Sequence, residues 1–366
     1  MSERKRLDYV DAAKGLSIIM IMMGHITSYY NPLDQWMSSF KVSVFYVISG
    51  FLMCYTGSVK NRTFKEFIKK LFMNICVPYI WFCVLGLLFK IVINLLRHKS
   101  IAAVISVVRV YAIHSVCLKG INSMWFIPTL IIGEIVFYIL LRTNWFVWIL
   151  YGIIGPFSIT IFSVLYNKFE AIPDKHSVKY LGGTDLMSAL GKGFMAAWFI
   201  GAGYLIYVIY KKLENKYIKL ILGIIFSVSN YFISYINPHV DINLLKEGDR
   251  PYLFYVTGIV GSIGAIMILD FISSFVKLTF LDYWGKNSLI VMCTHTVLAY
   301  KAIAYEGWRW MAHFKEANSA EYILHCFIVL ALLMLMQYTV IHIINNYLPF
   351  LIGRKKPKKA VATPVA

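Results

Sequence analysis

The sequence predicts an all-α, polytopic membrane helical bundle of about ten transmembrane helices, and three observations carry that prediction. Of 366 residues, 59% are hydrophobic and 15% charged, and the mean hydropathy is +0.66. A soluble domain carries about 45–50% apolar and about 25% charged residues, so this composition cannot supply a water-facing surface. The apolar residues also come in runs long enough to cross about 30 Å of hydrocarbon as helices. Finally, Lys and Arg exceed Asp and Glu by 18, and the excess gathers in short connections, as in loops held against anionic lipid. No nucleic-acid motif accompanies the charge, so nucleic acid is not an expected partner; the lipid bilayer is. The six cysteines form no C-x-x-C pair and read as small buried hydrophobes.

Ten runs qualify as spans: 10–30, 38–57, 71–95, 124–141, 145–165, 189–210, 217–236, 251–274, 286–304 and 321–347. The stretch 101–116 is apolar but interrupted by Arg109 and His114, which predicts an interfacial or re-entrant helix instead of an eleventh span. Ten spans leave both termini on one side. With the N-terminus in the cytoplasm, twenty Lys and Arg fall in inner segments and thirteen in outer ones, the latter including Lys168, Lys175, Lys179 and Lys192. The expected location is therefore the cell membrane, multi-pass, with both termini cytoplasmic. The first run carries Asp11 and Lys14 and lacks a small-x-small site at its end, so it is not a cleavable signal peptide. The stretch 168–183 reads as a polar outer loop, and neither it nor 237–250 is long enough for a domain. Residues 1–353 are thus expected to form one membrane domain and 354–366 a basic, disordered cytoplasmic tail. No internal repeat is visible, which argues against an inverted-repeat transporter.

The first run carries the most chemistry. Asp11, Lys14 and His25 are ionisable groups in or at the edge of a span, where such residues line polar cavities or pathways. Eleven residues separate Lys14 from His25, about three turns plus 20°, so the two share a stripe with Asp11. Asp11 is an i,i+3 ion-pair partner for Lys14. His25 lies about 16 Å further along the helix. A cation at the inner mouth suits a phosphate, and a deep imidazole suits a general base. Taken singly, Lys14 also fits a snorkelling lysine and His25 a helix–helix contact.

The spacing Asp11-x-x-Lys14-Gly15, followed by His25, resembles the first-helix signature of the acyltransferase family 3 integral membrane proteins. Further phrases in the same order strengthen the resemblance: FYVISGF at 45–51, LFMNICVPYI at 71–80, WFIPTL at 125–130, GKNSLIVMCTH at 285–295 and NNYLPFLIGR at 345–354. Lys14, where many relatives carry Arg, is similar to the fucose 4-O-acetylase-like branch. The resemblance implies transfer of an acetyl or other short acyl group from acyl-CoA, with acetyl-CoA as donor substrate, to a hydroxyl of a cell-surface or lipid-linked carbohydrate. The donor comes from the cytoplasm.

On that basis the expected catalytic residues are His25, Asp11 and His295. Lys14, Asn287 and Ser288 are expected at the donor, and Trp125, Phe126 and Glu134 at the acceptor. Ser288 and His295 are seven residues apart, hence on one helix face, with Lys286 on the opposite side. Trp125 and Phe126 fit either an interfacial aromatic belt or a sugar-stacking platform. Glu134 is expected to orient an imidazole or to pair with Lys41 or Lys90. Ser49-Gly50 reads as a close-packing pair, since no G-x-S-x-G elbow surrounds it. No metal is expected: H-E-x-x-H and C-x-x-C are both missing from the sequence. Two other readings compete, a secondary transporter or flippase using Lys14, His25 and Glu134 as a path, and an acyl-relay subunit feeding a separate extracytoplasmic transferase.

Overall fold

Polar residues just ahead of the helical runs cap six of the described helices. The computed structural model describes residues 6–27, 31–57, 59–298, 303, 304, 306 and 320–354. The tail beyond 354 and the basic residues Lys301, Arg309 and Lys315 lie outside the described residues. Helix α1 (Asp8–Gly24) is followed by α2 (Pro32–Ser38), capped by Asn31, and α3 (Ser43–Thr56). A capping box of Thr63 and Glu66 opens α4 (Phe64–Leu71), which runs through a π-helical turn (Phe72–Cys76) into α5 (Val77–Leu96). Ser100 caps α6 (Ile101–Val116), and a 3-10 turn (Asn122–Trp125) leads into α7 (Phe126–Leu140). Asn144 caps α8 (Trp145–Ile154), continued by α9 (Ser158–Glu170); Ser177 caps α10 (Val178–Tyr210) and Asn215 caps α11 (Lys216–Ile236). Each cap oxygen accepts a backbone N–H that the first turn leaves without a helical partner.

A short antiparallel hairpin, β1 (Val240–Asp241) and β2 (Lys246–Glu247), separates α11 from α12 (Pro251–Ser273). Then come α13 (Thr279–Lys286), α14 (Ser288–Thr294) and α15 (Ala320–Tyr347). Among the described residues, eight helices are long and apolar enough to cross a membrane, and they coincide with eight of the predicted runs. The run at 10–30 is met by α1, of 17 residues with its charges in the first two turns. The run at 286–304 bends at Asn287, where α13 gives way to α14. The stretch 101–116 forms α6, of 16 residues.

Two sequence expectations need correction. The loop expected at 168–183 is confined to 171–177, because α9 continues to Glu170 and Ser177 caps α10 directly. Gly182 and Gly183 remain helical, the latter packed on the Phe169 ring. Lys192, expected in an outer segment, lies fourteen positions after Val178 inside α10 and is only 2% exposed.

Helix α10 is the central element, packed against α3, α7, α9 and α12. Its crossing with α3 is tight: a Cβ on Gly50 would overlap the Ile200 carbonyl, and one on Gly203 would overlap that of Val47. Ser49-Gly50 therefore lies at a close-packing position, the small-residue device that lets membrane helices approach. By contrast, α11 presents Ile221, Ile225, Phe232 and other apolar side chains outward, and α8 and α9 do likewise. Faces this apolar are tolerated where lipid is the solvent.

Candidate active site

His25 is the C-cap of α1, its backbone N–H bonded to the carbonyls of Ile21 (3.3 Å) and Met22 (3.2 Å). Its side chain opens on a cavity of about 220 Å³. Ile21 and Gly24 of α1 line it with Ser38, Lys41 and Val42, and so do Ser123, Trp125, Phe126 and Met292. The segment 240–243, from β1 into the turn after it, closes the remaining side.

His295 is brought to this place from the far end of the sequence. The two imidazole rings have centroids 5.1 Å apart, tilted by 44°. His295 is fully buried, and its Nδ1 lies 2.6 Å from the Val291 carbonyl oxygen. A carbonyl only accepts, so Nδ1 carries the proton, and in the neutral ring Nε2 is the basic nitrogen. The contact is held by cross-links between the turn before α7 and α14. Ser123 donates through Oγ to the Met292 carbonyl (3.1 Å), and its N–H donates to Thr296 Oγ1 (3.3 Å). Thr294 donates to Gln337 on α15 at 2.7 Å. These bonds place Trp125 beside the histidine pair.

Trp125 and Phe126 are 8% and 5% exposed, so they line the cavity and do not form a lipid-facing belt. Phe126 stacks on Tyr46 with centroids 5.0 Å apart. Glu134, two turns further along α7, does not line the cavity. It accepts a hydrogen bond from Ser49 at 2.6 Å. The partners suggested for it lie elsewhere: Lys41 binds Asp34 (3.3 Å) and Ser38 (2.8 Å), and Lys90 sits over the Tyr111 ring. Glu134 therefore pins α7 to α3 instead of meeting either lysine.

Near the start of α1, Asp11 is buried and accepts from both Arg6 and Lys14, the latter at 3.3 Å. The residue after Lys14, Gly15, meets Gly285 at the crossing of α1 and α13. Beyond that crossing Asn74, Lys286, Asn287 and Arg354 line a second cavity of about 270 Å³. Lys286 and Asn287 both line this cavity, at the break between α13 and α14. The Asn287 amide donates to the Tyr283 carbonyl and accepts from Asn345, both at 2.8 Å. Ser288 begins α14 without lining this cavity. The structure thus gathers His25, His295, Trp125 and Phe126 at one place and Asp11 and Lys14 at another, with Asn287 nearby and Glu134 apart.

Sequence reasoning did not place Lys41, Ser123 or the hairpin residues at the His25 cavity, nor Lys192 behind its Trp125 wall. The Lys192 ammonium lies 4.7 Å from the Trp125 ring centroid and 3.5 Å from the Asn243 carbonyl oxygen. A signal existed for it, since Gly191-Lys192-Gly193 interrupts an apolar run and an ionisable residue there calls for a reason. The hairpin carries no motif. It is held by Asn237, which donates to the Glu247 carbonyl (3.0 Å) and accepts from the Arg250 N–H (2.7 Å). Burial pushes the Glu247 carboxyl up to about 7, against the opposing effect of the hydrogen bond it accepts from Tyr255 at 2.6 Å.

No curated protein and no solved structure matches this chain. A family model described as an acyltransferase domain does match, over residues 7–351. That span takes in α1 with its Asp11, Lys14 and His25, the aromatic turn before α7, and the helix pair carrying Asn287 and His295. Belonging by nearly its whole length to that family, and built as a bundle of apolar helices, the protein is a multi-pass membrane acyltransferase of acyltransferase family 3.

Proposed function

We propose that the protein moves an acetyl or other short acyl group from acyl-CoA to a hydroxyl of a cell-surface or lipid-linked carbohydrate. The observation that supports this reading best is His25 in a cavity with an aromatic wall, its ring packed against that of the buried His295. His25 takes the proton of the acceptor hydroxyl as the oxygen attacks the thioester carbonyl. The tetrahedral intermediate expels the CoA sulfur, and the proton on His25 returns to that thiolate. His295, with its Nδ1 proton committed to a carbonyl, positions the His25 ring and stabilises the imidazolium. Trp125 and Phe126 supply the apolar platform on which a sugar ring stacks.

The donor reaches His25 along α1. Lys14 and Lys286, on either side of the Gly15–Gly285 crossing, attract the phosphates of CoA, and Asp11 keeps Lys14 in place. Asn287, which lines the cavity beyond that crossing, contacts the donor, and Ser288 starts the helix behind it. About 16 Å of helix between Lys14 and His25 accommodates an extended pantetheine arm. Both termini face the cytoplasm in this scheme, and the hairpin end of the bundle faces out. Lys14 favours the branch resembling fucose 4-O-acetylases.

The test is purified protein with labelled acetyl-CoA. Thioester cleavage and acetylation of a glycan acceptor are expected in the wild type and lost in His25→Ala. Transport of a glycan across vesicles without acetyl-CoA, and no thioester cleavage, overturns the proposal.

A further inference from the structure

A buried ammonium behind the Trp125 wall makes no ion pair among the described residues. It belongs to Lys192, among the most deeply buried side chains in the molecule. What holds it is one long contact to the Asn243 carbonyl and the face of Trp125. The carboxylates near enough to feel its charge are Asp241 and Asp185, and both have other duties. Asp185 binds His114 at 2.5 Å and Lys119 at 3.1 Å. Asp241 accepts from the Leu244 N–H at 3.3 Å, which shapes the turn after β1. Lys41, which does line the cavity, is already matched by Asp34.

A buried, uncompensated cation is costly, and such groups are commonly paired or placed where an anion arrives. Both contacts of Lys192, Trp125 and Asn243, line the His25 cavity. The ammonium therefore sits one side chain behind the cavity wall, and its field reaches in through a low-dielectric medium that screens it weakly. We infer that the acceptor is anionic, a carbohydrate bearing a carboxylate or phosphate group that lies against Trp125 with Lys192 as its counter-charge. This rests on the acyltransfer reading of the His25 cavity and adds to it the chemical class of the acceptor. Trp125 then takes the sugar face, the field of Lys192 favours the negative group, and His25 takes the hydroxyl.

The experiment compares three acceptors with acetyl-CoA as donor: a glucose disaccharide, its glucuronate counterpart and the matching glycosyl phosphate. Product is read by mass spectrometry, and binding of glucuronate and inorganic phosphate by calorimetry. Wild-type protein is expected to favour one of the anionic acceptors at least tenfold in kcat/KM, the better of the two identifying the group. Lys192→Gln is expected to bring that ratio close to one, and Lys192→Arg to keep most of it. A wild type that treats neutral and anionic acceptors alike overturns the inference, as does a preference that survives in Lys192→Gln. No acylation of any of the three, with neither anion bound, also overturns it. These outcomes are distinct from failure of the acyltransfer reading, which shows as no thioester cleavage together with glycan transport that needs no acetyl-CoA. The wild-type comparison needs no variant, so a misfolded Lys192→Gln does not remove the test.

Discussion

Gly15 and Gly285 lie back to back where α1 crosses α13: a Cβ on Gly15 would overlap the Leu281 carbonyl, and one on Gly285 would overlap that of Asp11. The obstacle on both sides is backbone, which cannot swing away as a flexible side chain can. Each glycine neighbours a lysine proposed to meet the donor, Lys14 on one helix and Lys286 on the other. Helix separation here thus sets the spacing of those cations. Gly285→Val and Gly15→Val are expected to lower stability by about 3 kcal/mol or to prevent folding, as overpacking against rigid neighbours does. Thermal unfolding in detergent measures this. A variant with unchanged Tm contradicts the crossing.

His25→Ala is expected to lower the rate of acyl transfer by about 10²–10⁴-fold, the usual worth of a general base. His295→Ala should cost less and should shift the pH profile of kcat, because His295 acts through the His25 ring 5.1 Å away. His295→Asn, which keeps a donor for the Val291 carbonyl, should recover part of the loss. Steady-state kinetics across pH on purified protein separates the roles, and equal total loss in all three variants argues against them.

Lys14 and Arg6 share Asp11, so removing one cation leaves the other. Lys14→Ala is expected to raise the KM for acyl-CoA several-fold with a smaller effect on kcat, and Lys14→Arg to retain most activity. Asp11→Asn should be worse than Lys14→Ala, since it releases both cations and leaves the buried site without its charge. Competition binding of CoA measures the effect directly.

Glu247 gives the hairpin a pH dependence. Its carboxyl is raised from an ordinary value of 4.5 to about 7 in the folded protein, so between those values the folded state holds more protons than the unfolded one. Its contribution to stability is therefore largest below about pH 4.5 and declines as pH rises through about 7. Glu247→Gln, which stays neutral and keeps an acceptor for Tyr255, is expected to flatten the fall in Tm between about pH 5 and pH 8. Calorimetry of both proteins over that range is the check.

Sidedness is testable without enzymology. A cysteine at position 60 should react with an impermeant reagent only from the cytoplasm, and one at 175 only from outside. The opposite labelling reverses the direction proposed for the donor.

The sequence alone determined the helical membrane class, because hydropathy and helix length are local quantities and lipid demands internally satisfied backbone. It also determined the stripe of Asp11, Lys14 and His25, since α1 is unbroken and helical periodicity sets their spacing. Only the tertiary structure decided the meeting of His25 with His295, the burial of Trp125 and the closing of the cavity by residues 240–243. Those contacts join segments far apart in the chain, and which helix faces meet depends on small-residue crossings such as Gly15 with Gly285. The same limit misplaced Lys192, which charge counting put in an outer segment and the packing of α10 put behind Trp125. Glu134 followed the same logic: a carboxylate in a span needs a partner, but only the packing of the bundle brought Ser49 of α3 to it in place of a lysine.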